Sequence, residues 1–168
     1  LRDRAGLRLI HDDARPFLRR TDRRYDAIFV DAYRQPYIPF YLTTREFFAL
    51  VRDRLQPGGV VVVNAGHPEN STRLEEMLAA GLRTAFRHVA RDPITEFNTL
   101  LVASDRPPSP ARVTAALPTV DPIVRPVLAG TAARLRPALE GGPVYTDDKA
   151  PVEWLIDRSI ISYAADQG

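Results

Sequence analysis

Three aspartates and one asparagine of this sequence follow directly on hydrophobic segments, and their side chains can accept protons or hydrogen bonds from an amine or a base ring. A carboxylate at the mouth of an apolar sheet is partly desolvated, which suits it to take a proton from a reacting group. Polar residues at such positions form a candidate site for ligand binding and proton transfer. They are Asp12, Asp13, Asp31 and Asn64.

The segments that precede these residues predict β-strands. Residues 7–11 alternate between apolar and polar side chains. Residues 27–30 and 60–63 are continuously apolar and rich in β-branched side chains, as is typical of parallel strands covered on both faces. Residues 97–103 predict a fourth strand, and 88–94 predict an antiparallel partner for it.

Helices are predicted between the strands. A short helix over 14–20 follows the first strand, and Thr43–Glu46 and Thr72–Glu75 each have the pattern of a capping box. Behind each box, apolar side chains recur at helical spacing and predict a buried stripe. The stripes are Phe47, Leu50, Val51 and Leu55 in the first helix, and Leu74, Met77, Leu78, Leu82 and Ala85 in the second.

This order of strands and helices predicts a doubly wound α/β domain over residues 1–104. Residues 105–168 are proline-rich and predict a helical extension that packs on this domain. Ligands of such sheets bind beyond the carboxyl ends of the strands. We therefore expect the four polar strand-end residues to face one crevice.

Each of these residues also has an ordinary structural explanation. Asp13 is a good N-cap for the helix over 14–20. Alternatively, its carboxylate accepts from the exocyclic amine of an adenine, an approach that the small side chain of Ala14 permits. Asp31 is either a cap or a proton acceptor, and Asn64 can simply satisfy loop amides.

The segment 33–41 is a long aromatic loop that contains two prolines. Loops in α/β units normally run 2–6 residues. A longer loop over the strand ends is either a lid and substrate wall or a packing loop that covers the sheet edge. In the first case, Tyr33 and Gln35 are its candidate substrate-binding residues.

The segment 146–155 predicts the start of a helix, with Pro151 in the first turn and Glu153 near the positive helix end. Its adjacent carboxylates, Asp147 and Asp148, are also candidates to bind a cationic substrate.

Composition excludes several classes of function. The 168 residues include no cysteine, so disulfides and thiolate catalysis are excluded, and this suits a cytoplasmic protein. The three histidines lack metal-ligand spacing, and no metal is predicted. A net charge of +2 gives no argument for nucleic acid. No apolar run is long enough to span a membrane.

Several motifs, taken in order, resemble the spermidine/spermine synthase family, which comprises polyamine aminopropyltransferases with a methyltransferase-like Rossmann fold. The segment 146–155 is also similar to the C-terminal end of spermidine-synthase-like proteins, including some fused to membrane segments. The motifs that carry the main resemblance are 11–18, 25–31, 42–48 and 55–60.

The resemblance implies a transferase that moves an aminopropyl group from decarboxylated S-adenosylmethionine to a small-molecule amine. Asp13 and Ala14 would line the adenine pocket, and Asp31 would match the proton acceptor of the family. Two alternatives stay open. One is a small-molecule methyltransferase that uses S-adenosylmethionine, and the other is a non-catalytic Rossmann-like domain used for assembly.

Two departures from the family pattern affect these expectations. Arg34 stands where the enzymes have a second aspartate that holds the polyamine, so a different substrate is one expectation. The glycine-rich cofactor loop of the family would lie before Leu7. We therefore interpret the chain as a fragment that lacks the N-terminal half of the fold, or as a degenerate relative. The resemblance leaves open a homodimer, and a location at the cytoplasmic face of a membrane if the parent has membrane segments.

Overall fold

The computed structural model describes residues 6–33, 38–68 and 71–151. These residues form one sheet with the strand order β1-β2-β4-β3-β5. The strands are β1 Tyr25–Val30, β2 Leu55–Gly66, β3 His88–Thr95, β4 Asn98–Ser104 and β5 Arg136–Pro137. The helices are α1 Ala14–Arg20, α2 Arg45–Asp53, α3 Arg73–Ala85, α4 Pro110–Ala116 and α5 Arg125–Arg134.

Strands β1 and β2 run parallel, with Ile28 opposite Val61. Strand β4 lies between β2 and β3 and runs antiparallel to both, so that Val62 and Ala90 both align with Val102. The α/β class, the predicted strands over 27–30, 60–63, 88–94 and 97–103, and the antiparallel pairing of β3 with β4 are thereby confirmed. No described helix is both long and apolar enough to cross a membrane.

Helices α2 and α3 share the main core with one face of the sheet. Their predicted apolar stripes are buried, except that Leu50 is only partly covered. Leu55 was wrongly included in the first stripe, because α2 ends at Asp53 and Leu55 begins β2. The two helices approach closely at Gly81, where an added Cβ would lie 2.8 Å from the Phe48 ring. The largest fully buried apolar side chains are Ile38, Phe47, Phe48, Val51, Val61, Val63, Met77, Leu78, Leu82 and Leu101.

Two predictions about strands were wrong. Residues 7–11 form no strand, and Leu9 is exposed, because this segment pairs with no strand of the described chain. The run 27–30 is not covered on both faces, since the Phe29 side chain is 74% exposed. Strand β1 is the edge of the sheet, and an apolar run alone does not specify what packs on its second face.

The first capping box was also wrong. The N-cap of α2 is Thr44, whose hydroxyl accepts from the Phe47 backbone amide at 3.3 Å, and Thr43 lies outside the helix. Glu46 does not reach back to the cap. Its Oε2 accepts from the backbone amide of Asp147 at 3.0 Å, because a more distant segment lies against the start of this helix.

The second capping box fails for a similar reason. Thr72 is the N-cap of α3, but its side chain makes no capping hydrogen bond and donates to Glu76 instead. Glu75 is fully buried and forms an ion pair with Arg91 of β3, with 2.6 Å between Oε1 and Nε. A buried carboxylate needs a charged partner, and this need overrides the local cap.

A second buried ion pair ties α5 to the sheet. Asp92 of β3 is 1% exposed, and Arg134 at the end of α5 reaches its two oxygens at 2.6 and 3.2 Å. Because α5 has no buried residue of its own, this bidentate contact is a main attachment of the helix.

We predict that Arg134→Met lowers the free energy of unfolding by about 2–4 kcal/mol, because it leaves the Asp92 carboxylate buried and unpaired. The value is reduced from that of a fully enclosed pair because Arg134 is itself 34% exposed. Urea denaturation monitored by circular dichroism measures it. The control is Arg52→Met, which breaks the exposed pair with Asp105 and should cost less than about 1 kcal/mol. Equal costs for the two variants would contradict the prediction.

Candidate functional site

The first part of the site lies where β1 and β2 end side by side. Val30 pairs with Val63, so the next residues, Asp31 and Asn64, are adjacent. The Asn64 Nδ2 donates to Asp31 Oδ1 at 2.9 Å. The Oδ1 of Asn64 is buried and has no hydrogen-bond partner in the described part of the chain. Asp31 and Asn64 therefore lie together where their strands end, as the strand-end rule predicted.

Asp31 itself is exposed, which corrects the expected partial desolvation. The expectation assumed a strand inside the sheet, whereas β1 is an edge strand. The carboxylate makes no ion pair with any described residue, so an incoming group meets a free oxygen.

Tyr33 packs beside this pair and is fixed by its hydroxyl group. The hydroxyl donates to the backbone oxygen of Asn64 at 2.7 Å and accepts from the Gly66 amide at 2.6 Å. Burial raises the pKa of Tyr33, the hydrogen bond from Gly66 opposes this rise, and the negative charge of Asp31 adds to it. Both hydrogen bonds of the Tyr33 hydroxyl are thus made with the backbone of β2, and Tyr33 lies near enough to Asp31 for that charge to affect its pKa.

The second part of the site is Asp13, which the structure places before α1. Its Oδ1 accepts from the Arg15 backbone amide at 2.9 Å, which confirms the predicted N-cap. Its Oδ2 accepts from the Tyr41 hydroxyl at 2.8 Å. Tyr41 belongs to the connection between β1 and α2, so Asp13 contacts the same connection that Asp31 begins. Ala14 is the exposed first residue of the helix.

Other predicted residues are placed differently. Asp12 forms an ion pair with Arg20 and does not join the group. Gln35 and Arg34 lie outside the described residues. Asp148 is exposed in a tight turn.

Asp147 lies in the same turn, where the segment 146–155 was predicted to begin a helix. Thr146 and Lys149 pair through two backbone hydrogen bonds and close the turn. The Asp147 carboxylate contacts Arg15 and Thr44, at 2.5 and 2.7 Å. The hydrogen bond from Arg15 is the main cause that lowers the pKa of Asp147, opposed by desolvation and supported by Thr44.

A surface cavity of about 350 Å³ lies beside Asp13 and Asp147. Asp12, Asp31 and Asn64 do not line it, so the expectation that all four polar residues face one crevice is not met there. Of its lining residues, sequence reasoning named only Asp13 and Asp147 as site residues. Arg15 and Tyr41 were missed because their contacts are with distant segments. No group of described histidine or acidic residues could hold a metal ion. The cavity is lined by Asp13, Arg15, Pro16, Arg19, Phe40, Tyr41 and Asp147.

Comparison with known proteins gives one family. A family model described as the spermine/spermidine synthase domain matches residues 3–101. A probable polyamine aminopropyl transferase of Bifidobacterium longum is 50% identical over 52 residues, which are 31% of this chain and 12% of that protein.

Solved structures agree in fold. A probable spermidine synthase from Corynebacterium glutamicum is 26% identical, with a TM-score of 0.52 over 81% of this chain and 55% of that chain. A spermidine synthase from Thermotoga maritima is 14% identical, with a TM-score of 0.53 over 92% of this chain and 47% of its own, and supports the fold alone. The chain thus spans about half of each, and the predicted Rossmann-like class is confirmed.

We predict that Tyr33→Phe lowers the free energy of unfolding at pH 8 by about 1–3 kcal/mol, because it leaves two backbone groups of β2 unpaired. Since the pKa of Tyr33 is raised in the folded state, the unfolded chain loses this proton first. The stability due to Tyr33 is complete below about pH 10 and is lost as pH rises through the folded pKa.

Urea denaturation of both proteins between pH 8 and pH 11 checks this sign. The gap in unfolding free energy between the native chain and Tyr33→Phe should narrow as the pH rises. A gap that stays constant would show that the pKa of Tyr33 is not raised.

Proposed function

Because this chain belongs to the spermine/spermidine synthase family, we propose that it forms part of an aminopropyltransferase. In the proposed reaction, an amine nitrogen attacks the aminopropyl carbon next to the sulfonium of decarboxylated S-adenosylmethionine. The new N–C bond forms as the C–S bond breaks, and the C–S electron pair leaves with sulfur as methylthioadenosine. The proton lost by the amine nitrogen passes to a base.

The pairing of Asp31 with Asn64 carries this proposal. A base must offer a free carboxylate oxygen to the attacking amine, and one Asp31 oxygen is held by the Asn64 amide. The other Asp31 oxygen is on an exposed side chain and can accept an amine hydrogen, while the Asn64 amide fixes the direction of the carboxylate. A carboxylate held in this way at a strand end can orient the nitrogen lone pair toward the carbon.

Asp13 and Ala14 are proposed to hold the adenosyl group. The Asp13 carboxylate is exposed, and its hydrogen bonds to the Arg15 amide and the Tyr41 hydroxyl leave lone pairs for an exocyclic amine. The first residue of α1, Ala14, has no bulky side chain, so a flat ring can approach the backbone at the start of the helix.

The acceptor is proposed to be a small-molecule amine. Tyr33 and Asp148 remain proposed contacts for it, together with Gln35. The ring of Tyr33 can cover an aliphatic chain, and Asp148 is an exposed carboxylate for an ammonium group. No observation in the structure favours the methyltransferase alternative or the assembly alternative.

We predict that Asp31→Asn lowers kcat at least about 100-fold, because a general base contributes about 10²–10⁴ to such a step. Binding of the adenosyl ligand should change little, since Asn keeps the size of the residue. Release of methylthioadenosine by the complete gene product, with a panel of diamines, measures kcat. The control is Asp26→Asn on the same strand, exposed and distant from the strand end. An unchanged kcat in Asp31→Asn would contradict the role of Asp31.

We predict that Asp13→Ser weakens binding of methylthioadenosine about tenfold, through loss of a hydrogen bond to a charged acceptor. Serine keeps the N-cap, so the helix should persist. The matched control is Asp121→Ser, at the N-cap of the turn Pro122–Val124. Calorimetry with methylthioadenosine, S-adenosylmethionine and its decarboxylated form measures the affinities of the complete gene product.

Three outcomes of this titration decide the proposal. Unchanged affinity in Asp13→Ser would contradict its role. A preference for S-adenosylmethionine over the decarboxylated form would contradict aminopropyl transfer and support methyl transfer. Failure of the complete gene product to bind any of the ligands would contradict both enzymatic functions.

A further inference from the structure

The turn at Thr146–Lys149, which we call the aspartate turn, lies against the start of α2. The Tyr145 backbone oxygen accepts from the Arg45 amide at 2.9 Å, and the Asp147 amide donates to Glu46 Oε2 at 3.0 Å. These two backbone contacts hold the turn against the start of α2 and thereby fix the direction of the Asp147 side chain.

Both oxygens of the Asp147 carboxylate are already engaged. Oδ2 pairs with the Arg15 guanidinium at 2.5 Å, and Oδ1 accepts from the Thr44 hydroxyl at 2.7 Å. Arg15 and Thr44 are buried. A carboxylate neutralised by a guanidinium attracts a substrate ammonium only weakly, so this geometry supports a role other than direct substrate binding.

Arg15 connects Asp147 to Asp13. The second guanidinium nitrogen of Arg15 donates to the Tyr41 backbone oxygen at 2.9 Å. The Arg15 amide and the Tyr41 hydroxyl each hold one oxygen of Asp13. The Asp13 carboxylate is therefore oriented by Arg15 and Tyr41, and the Arg15 guanidinium joins these two residues to each other.

We propose that Asp147 is a positioning residue for Asp13: it fixes the buried Arg15 guanidinium, which in turn fixes Tyr41 against the Asp13 carboxylate. The inference rests on the proposed function, since it assumes that Asp13 receives the adenosyl group. Without Asp147, the guanidinium is buried and unpaired, a costly state that is relieved by turning toward water. This movement breaks the hydrogen bond from Arg15 to the Tyr41 backbone oxygen. Tyr41 then no longer holds its hydroxyl against the Asp13 carboxylate.

The first test is a double-mutant cycle on the complete gene product with methylthioadenosine. Asp147→Asn should weaken binding about tenfold in calorimetry and raise KM for the decarboxylated cofactor by a similar factor, with kcat unchanged. In the Tyr41→Phe background, the same substitution should add less than about twofold. The control is Asp105→Asn, which removes an arginine-paired carboxylate at the other end of α2 and should leave affinity unchanged. Additive effects of the two substitutions would overturn the proposal.

The second test needs no ligand. Hydrogen exchange of the amides of residues 38–44 should be faster in Asp147→Asn, with α3 unaffected. If α3 also exchanges faster, the fold as a whole is weakened, and Arg15→Lys is then used in place of Asp147→Asn. Lysine keeps a cation for Asp147 but lacks the second guanidinium nitrogen that reaches the Tyr41 backbone. Unchanged exchange of 38–44 in the folded variant overturns the coupling. If the native protein binds no methylthioadenosine, the proposed function fails, and exchange still decides whether Asp147 orders Tyr41.

Discussion

The parallel pairing of β1 with β2 is the interaction on which the rest of the site depends. Parallel neighbours end at the same edge of a sheet, so this pairing alone brings Asp31 and Asn64 together. The other described pairings are antiparallel, and each places a carboxyl end beside an amino end. Val61 and Val63, buried in one core with α2 and α3, keep the register fixed, because a slip of one residue would expose them.

The parts of the fold that depend on local pattern could be predicted from the sequence. The helix over 14–20 has the predicted bounds, and the apolar stripes of α2 and α3 are buried or partly buried, because helical spacing decides which side chains share a face. The capping boxes failed for a different reason. Glu46 and Glu75 find partners 101 and 16 residues away, and no pattern of four residues contains those partners.

The candidate site divides in the same way. The strand-end rule predicted that Asp31 and Asn64 meet, since it depends only on strand direction. It failed for Asp12 because residues 7–11 form no strand, and Asp12 pairs with Arg20 of α1 instead. The contacts of Arg15 with Tyr41 and Asp147 span 26 and 132 residues. Such contacts follow from the packing of the chain, and the residues themselves carry no local signal of them.

The carboxylates that join segments of the fold and the carboxylates that we propose to contact ligands have different kinds of partner. The carboxylates that join distant segments through arginine include Glu75, Asp92, Asp105 and Asp147. A guanidinium fills the lone pairs of such a group and offsets its charge. Asp31 and Asp13 are held instead by the neutral side chains of Asn64 and Tyr41. Neutral partners fix the direction of a carboxylate without cancelling its charge, and the roles that we propose for Asp31 and Asp13 both depend on this.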